Sequence, residues 1–373
     1  MMEKKELGKR NLGLEWLRIC SMFMIILLHS IDHSGLYETL EEGTLLYAYE
    51  QFIYALVQVG VNCFVLISGY FLVQSQFKLR KLILLWIEVV FYAVTIKFIM
   101  MVGGEIPFSV VSLISCFVPI LTARYWFITI YFGMYLIFPF YNIAIKAMDE
   151  SQHKRLLFLL VMLFSGMNSI YPSFKGMNSG GAWGLAWFTV LYFIGAYFRL
   201  YYIPEKKKKG NLSLVFFTIL IFMTLALLAV QKTKIMVLIN MIKNWWRYDS
   251  IPVVIASIVL FMVFINIGKR GAVNKCGNQL VIKISGTTFG VYLIHVHANI
   301  CNESMWQCFG ILNNMSQWWF PIYQLIIVAA IFGVCSVIDY SRQHLFTVMR
   351  VDLFSKVIEM KAKRILIYEH FGN

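Results

Sequence analysis

The chain has 373 residues, of which 60% are hydrophobic and only 14% charged, and its mean hydropathy is +0.70. A soluble globular domain carries about 25% charged residues, so this composition excludes an ordinary water-soluble fold and implies a lipid-facing surface. The formal net charge of +14 does not imply nucleic-acid binding, because the cations lie in short clusters between long apolar runs, as membrane topology dictates.

The N-terminal segment MMEKKELGKR is basic. The apolar run behind it is longer than a signal h-region and reaches His29-Ser30-Ile31-Asp32-His33 without a small-x-small cleavage site, so it reads as a first span over 15–33. Further spans are predicted at 48–73, 82–102, 125–146, 156–171, 184–202, 211–231, 251–268, 285–302 and 319–341, about twenty residues each. The stretch 106–121, bounded by Pro107 and Pro119, is short for a span and fits a re-entrant or interfacial segment. The fold class is therefore all-α, a polytopic bundle of about ten spans. It comprises a membrane domain over 1–341 and a basic tail over 342–373 too short to bury its own core.

Charge gives the bundle a direction. With the N-terminus inside, the inner segments hold Lys4 to Arg10, Lys78 to Lys81, Lys146 to Arg155, Arg199 to Lys209, Lys269 to Lys283 and the tail, 25 of the 33 cations. The outer segments hold Arg124, Lys175, Lys232, Lys234, Lys243 and Arg247, which is 6. That bias predicts both termini in the cytoplasm and an even span count. The Trp245-Trp246 and Trp318-Trp319 pairs fall at predicted outer boundaries, like an aromatic belt. The seven cysteines are scattered singly, with no CxxC pair, and no metal site is expected.

The first span carries the sharpest chemical signal. Arg18 and His29 are eleven residues apart; at about 100° per residue they point the same way within about 20°, separated by a rise of about 16 Å. One helix face thus offers a cation suited to phosphate near the inner side and a group titrating near neutrality further out. Equally available from sequence is a plain structural role: Arg18 can snorkel or pair with Glu15 three residues earlier, and His29 can cross-link helices. Lys78, Arg80 and Lys81 place three cations in four residues, fitting either a phosphate-rich ligand or an anchor on anionic lipid. Glu88 and Lys97 need partners on other helices, Gln58 and Asn62 fit interhelical hydrogen bonding, and Asp339 with Arg342 fits an anchor pair. His295 and His297 face different ways on a helix, so a shared metal is not expected. Tyr125 and Trp126 fit stacking on a sugar or a base as well as packing. The tail fits an amphipathic surface helix, with no part in chemistry expected of it.

Five segments then resemble one family in order and spacing. Glu15-Trp16-Leu17-Arg18 through Leu28-His29 is similar to the opening of the acyltransferase 3 family of membrane acyltransferases. Cys63-Phe64-Val65-Leu66-Ile67-Ser68-Gly69-Tyr70-Phe71-Leu72 resembles the family's FFVLSGYLL stretch, and Lys78-Leu79-Arg80-Lys81 stands where it has R-x-x-R. Tyr125-Trp126-Phe127-Ile128 resembles its W-[FY]-[LI] helix, and Ser285-Gly286-Thr287-Thr288-Phe289-Gly290-Val291-Tyr292-Leu293-Ile294-His295 its S-x-x-[ST]-F-G-[IV]-Y-L-I-H signature. One departure is chemical: lysines at both ends of the R-x-x-R keep the charge but lose the fork geometry, leaving Arg80 the residue able to bind phosphate bidentately.

The resemblance implies transfer of an acyl group, commonly acetyl, from cytoplasmic acyl-CoA to a sugar hydroxyl of a surface polysaccharide or lipid-linked precursor. It implies acetyl-CoA or another acyl-CoA as donor, with Arg18, Lys78, Arg80 and Lys81 toward its phosphates. His29 would be the base, and Tyr125, Trp126 and His295 would lie on the substrate side. The expected setting is the cell membrane, among membrane lipids and polysaccharide-assembly proteins, without nucleic acid. Two rival classes are a transporter or flippase of lipid-linked sugars, which discontinuous helices and an internal repeat would favour, and a non-enzymatic partner in polysaccharide assembly, which predicts that His29 is dispensable.

Overall fold

The computed structural model describes residues 11–120, 125–170, 181–204, 209–268, 275–301 and 304–365. Lys4, Lys5, Lys9, Arg10, Arg124, Lys175, Lys206 to Lys208, Lys269 and Arg270, which carry much of the charge asymmetry, lie outside them. Among the described residues the chain is helical and without strands.

The principal helices are α1 Leu12–Asp32, α2 Leu45–Val57, α3 Val59–Leu72, α4 Leu79–Val102, α5 Trp126–Lys146, α6 Glu150–Val161, α7 Leu185–Tyr201, α8 Lys209–Gln231, α9 Met236–Lys243, α10 Ile251–Gly268, α11 Lys275–His295, α12 Phe320–Val348 and α13 Val351–Ile365. Seven helical stretches among the described residues are long and apolar enough to cross a membrane: α1, the joined α2–α3, α4, α5, residues 211–231 of α8, the α9–α10 stretch and α12. At 17 residues α7 is a shorter apolar helix. The predicted span 156–171 is not one helix: α6 stops at Val161, a π-turn covers Met162–Gly166, and four helical residues follow. The predicted span 285–302 begins ten residues earlier, at Lys275, and its helix ends at His295. The 106–121 segment forms only a short helix, Val110–Ile114, and a 3-10 turn, Ser115–Phe117. Toward the C-terminus, α12 runs past residue 341 to Val348, so the tail boundary falls inside a continuous helix.

By contact density the chain divides into two compact units. The first gathers the residues up to Phe71 with Met148–Thr288; the second gathers Leu72–Ala147 with the residues from Phe289 onward.

In the first unit α1 and the joined α2–α3 are the most enclosed of the long apolar helices. Asn11 caps it, accepting from the Gly13 and Leu14 amides at 3.0 and 3.3 Å, which satisfies two of the donors a helix start leaves open. Two thirds of its apolar window is buried. Gly13 lets the backbones of α1 and α10 meet: a Cβ there would stand 1.9 Å from the Phe264 carbonyl oxygen. The same device joins α3 to α7, where a Cβ on Gly69 would lie 2.4 Å from the Tyr192 carbonyl and one on Gly195 would lie 2.3 Å from that of Leu66. Asn62 of α3 completes the core by donating to the Tyr248 carbonyl (2.8 Å) and the Ser257 hydroxyl (3.2 Å) and accepting from the Trp187 indole (3.1 Å). Gln58 and Asn62 are both buried, and Asn62 makes the interhelical bonds the sequence predicts.

The second unit is held by one ionic network. Arg342 on α12 reaches Glu88 of α4 at 2.8 Å and Asp339 at 2.8 Å. Asp339 also accepts from the Tyr92 hydroxyl (2.8 Å) and the Gln343 amide (2.7 Å). The Arg342 guanidinium lies 4.8 Å from the Phe346 ring, a favourable face for a desolvated cation. Gly290 of α11 makes room for this network, since a Cβ there would stand 2.0 Å from an Asp339 carboxylate oxygen. Glu88 thus has the partner on another helix that its depth requires.

Candidate functional site

The first unit holds Arg18 and His29. From Met24 to Leu28 five consecutive residues of α1 are buried; at about 100° per residue they cover the whole circumference, so protein encloses the helix at this depth. His29 then opens to half-exposure, and Asp32 and His33 one turn on are exposed. Around it Ser30 and Ile31 are buried again, so His29 is a partly open position at the end of an otherwise covered stretch. His29 and His33 face each other ring to ring at 5.2 Å.

Aromatic and polar groups line the same end. The rings of Tyr37 and Tyr54 lie 5.0 Å apart, Tyr54 donates its hydroxyl to Asp32, and a side-chain hydrogen bond links Tyr37 with Gln51. Burial pushes the Tyr37 phenol up, and the carboxylates of Asp32, Glu38 and Glu42 push it further. Between Arg18 and Lys78 the sequence has no lysine or arginine, whereas Asp32, Glu38, Glu41, Glu42 and Glu50 all fall there. Lys243, 3.9 Å from Glu42, is a cation supplied from elsewhere.

Toward the other end of α1, Arg18 pairs with Glu15 at 3.0 Å. Glu15 is buried and also accepts from the Ser285 hydroxyl at 2.6 Å, so it is anchored from a second helix. The Arg18 guanidinium lies 5.7 Å from the Phe71 ring, and its side chain is 32% exposed. The pairing with Glu15 is legible as an i−3 relation; the Ser285 anchor, 270 residues away, is not.

The second unit holds the remaining candidates. Lys78 and Lys81 are exposed at the start of α4. Arg80 is not bare: its Nη2 meets Asp352 of α13 at 2.5 Å, its backbone amide donates to Glu359 of α13 at 3.3 Å, and its Nε is buried with no acceptor among the described residues. Asp352 is further paired with Lys356 at 3.2 Å. The tail helix is therefore tied to the basic turn, a role sequence reasoning missed. The available signal is the spacing of Asp352 and Glu359: seven residues put both carboxylates on one face of α13 within about 20°.

Tyr125, Trp126 and His295 also belong to this unit. Tyr125 is buried and donates its hydroxyl to the Leu293 carbonyl at 3.2 Å, with its ring 6.2 Å from Tyr292 and 6.3 Å from His297. His295 is buried, and its Nδ1–H donates to the Val291 carbonyl at 2.6 Å, so the ring is fixed by its own helix. Trp126 is half-exposed and packs edge-on against Phe127 at 5.9 Å. The structure joins Tyr125 and His295 through Tyr292 into one aromatic cluster of α5 and α11.

Comparison with known families gives one match: the acyltransferase 3 model, described as an acyltransferase domain, covers residues 11–340. No curated protein and no solved structure matches the chain.

Proposed function

Because the chain belongs to the acyltransferase 3 family, whose members are acyltransferases, we propose that it is a membrane O-acyltransferase, moving an acetyl or similar acyl group from cytoplasmic acyl-CoA to a sugar hydroxyl of a surface polysaccharide or lipid-linked precursor. The observation that supports this most is the half-open His29 at the end of an otherwise enclosed helix that also carries Arg18. Several helices long and apolar enough to span support the reading of a multi-pass membrane protein.

In this reading His29 accepts the proton of the acceptor hydroxyl as its oxygen bonds to the acyl carbon. The thioester C–S bond breaks, and the CoA thiolate leaves to be protonated. A neutral imidazole is the form that can take a proton. Arg18, held by Glu15, presents a partly open guanidinium to an anionic group. The Lys78–Arg80–Lys81 turn of the second unit separately presents cations suited to the phosphates of CoA. The carboxylates and tyrosines around the His29 end favour an uncharged or amine-bearing glycan over a polyanionic one, since like charges repel and sugar hydroxyls donate readily to carboxylates. Tyr125 and His295 are buried and already hydrogen-bonded, so we assign them to the wall of their cluster; Trp126 is the one of the three with surface for stacking.

The test is turnover of acetyl-CoA by purified protein together with mass analysis of surface glycans from cells with and without the gene. His29→Ala should abolish acetyl transfer, with the thermal midpoint near that of the parent chain, and loss of the gene should remove an acetyl mass from the glycan repeat. Full transfer by the His29→Ala protein would sink the base assignment.

A further inference from the structure

We propose that α13 is an autoinhibitory latch, its Asp352 carboxylate occupying the guanidinium that the donor's phosphates require while Glu359 holds the Arg80 backbone amide; this rests on reading the Lys78–Arg80–Lys81 turn as the donor-binding turn. Asp352 and Glu359 are the only carboxylates that the described contacts place on Arg80, and both come from the last helix of the chain. A carboxylate and a phosphate oxygen are chemically equivalent partners for the fork of an arginine. Among the described residues Asp352 holds that fork through the Nη2 contact at 2.5 Å, and Nε is buried without an acceptor. A phosphate bridging Nε and Nη2 would satisfy both groups at once, so the latched state is the less completely bonded of the two.

The connection suits a swinging element. α12 ends at Val348 and α13 begins at Val351, so two residues form the joint, and one of them, Arg350, has φ +53°, a conformation that side chains other than glycine rarely adopt. A joint this short keeps the carboxylates close to Arg80 at high effective concentration. The contact between the helices is moderate: the Arg80 and Asp352 side chains are 36% and 50% exposed, so a competing anion reaches them from solvent. Lys356, four residues on along α13, pairs with Asp352 and keeps that carboxylate neutralised when the helix leaves Arg80.

The experiment measures CoA binding by calorimetry to the full chain in lipid nanodiscs. The D352N/E359Q double variant should bind CoA about fivefold or more tightly, the lower end of ordinary intramolecular coupling, and R80A should bind at least about tenfold more weakly. Hydrogen exchange on the unmodified chain supplies a readout that needs no variant: saturating CoA should raise exchange at the α13 amides. If R80A weakens binding while D352N/E359Q leaves it unchanged or weaker, α13 positions Arg80 and the latch is overturned, with the donor reading intact. If R80A leaves CoA affinity unchanged, the turn is not the donor site and the latch falls with it. Unchanged α13 exchange under saturating CoA overturns the latch alone.

Discussion

Two arginines in apolar helices, Arg18 in the first unit and Arg342 in the second, meet opposite fates. Arg18 has one carboxylate partner, Glu15 at 3.0 Å, and stays about one-third exposed. Arg342 is nearly closed off, with two carboxylate partners at 2.8 Å each and a third contact from its own Nε to Asp339 at 3.0 Å. Arginine has five N–H donors in a rigid fork, so the difference lies in what is left over. At Arg342 the network takes Nε and Nη2 and ties α4 to α12. At Arg18 one anchored carboxylate fixes the head group and leaves part of it open. The first arrangement stabilises; the second holds a cation ready for a ligand.

That contrast breaks most directly by truncating each arginine. Arg342→Ala leaves the buried Asp339 and the half-buried Glu88 without their cation, and such losses cost about 3–5 kcal/mol. Its thermal midpoint in detergent should fall sharply, with activity lost in proportion to folded protein. Arg18→Ala leaves Glu15 its Ser285 hydrogen bond and should lower the thermal midpoint less than Arg342→Ala, while acetyl transfer collapses in protein that remains folded. Equal melting losses in the two variants would remove the distinction.

A second probe bears on the Arg342 side alone. Gly290→Ala would set a Cβ 2.0 Å from an Asp339 oxygen and 2.7 Å from its Cβ, too near the backbone for the side chain to swing clear. Overpacking of this kind costs about 1–3 kcal/mol, read as a lower thermal midpoint; an unchanged midpoint would mean that Asp339 is not held where the ionic network needs it.

On the Arg18 side, Glu15→Gln keeps the shape and removes the charge that fixes the guanidinium. kcat/KM should drop about tenfold through loss of orientation, with Arg18 still present and the fold retained. Restoration by Glu15→Asp, in part, would mark a positioning role; no kinetic change in Glu15→Gln would show that Arg18 needs no anchor.

The smallest effect expected is a pH dependence away from both arginines. His153 of α6 is buried, shares a hydrogen bond of 3.1 Å with the Phe193 carbonyl, and burial holds its imidazole below the usual range. The unfolded chain therefore binds this proton at a higher pH than the folded one. The stability tied to a neutral His153 is intact above the ordinary imidazole range and declines as pH falls below it. Thermal midpoints followed from pH 7.5 to 5 (about the imidazole range) should fall less in His153→Phe than in the parent chain.

How much of this was legible in the sequence depends on distance along the chain. The helical class, the shared face of Arg18 and His29 and the Glu15 pairing are all local relations, fixed by helical periodicity. The Arg80 contacts are not local, since Glu359 lies 279 residues on, and charge clustering alone cannot tell an exposed anchor from a cation already engaged. Nor does hydropathy rank enclosed helices against peripheral ones. α12 is more apolar than α1, at 2.2 against 1.6, yet 28% of its window is buried against 67%, because lipid and protein interior reward the same side chains. The predicted 156–171 span is interrupted for a local reason that periodicity does not register: a π-turn covers Met162–Gly166, and the buried Asn168 and Ser169 just after it bond to Asp249 and to the Ile251 amide.

Asn62 carries a consequence for how the protein is made. Its amide in α3 is satisfied by Trp187, Tyr248 and Ser257, which follow it by 125, 186 and 195 residues. When α3 leaves the ribosome none of these residues has been synthesised, and the bare backbone at Gly69 also lacks the α7 surface it will pack against. A polar amide cannot wait in hydrocarbon without a partner at low cost. The third helix must therefore be sheltered, by the insertion machinery or at the membrane interface, until the middle of the chain arrives, which makes order of synthesis part of how this bundle assembles.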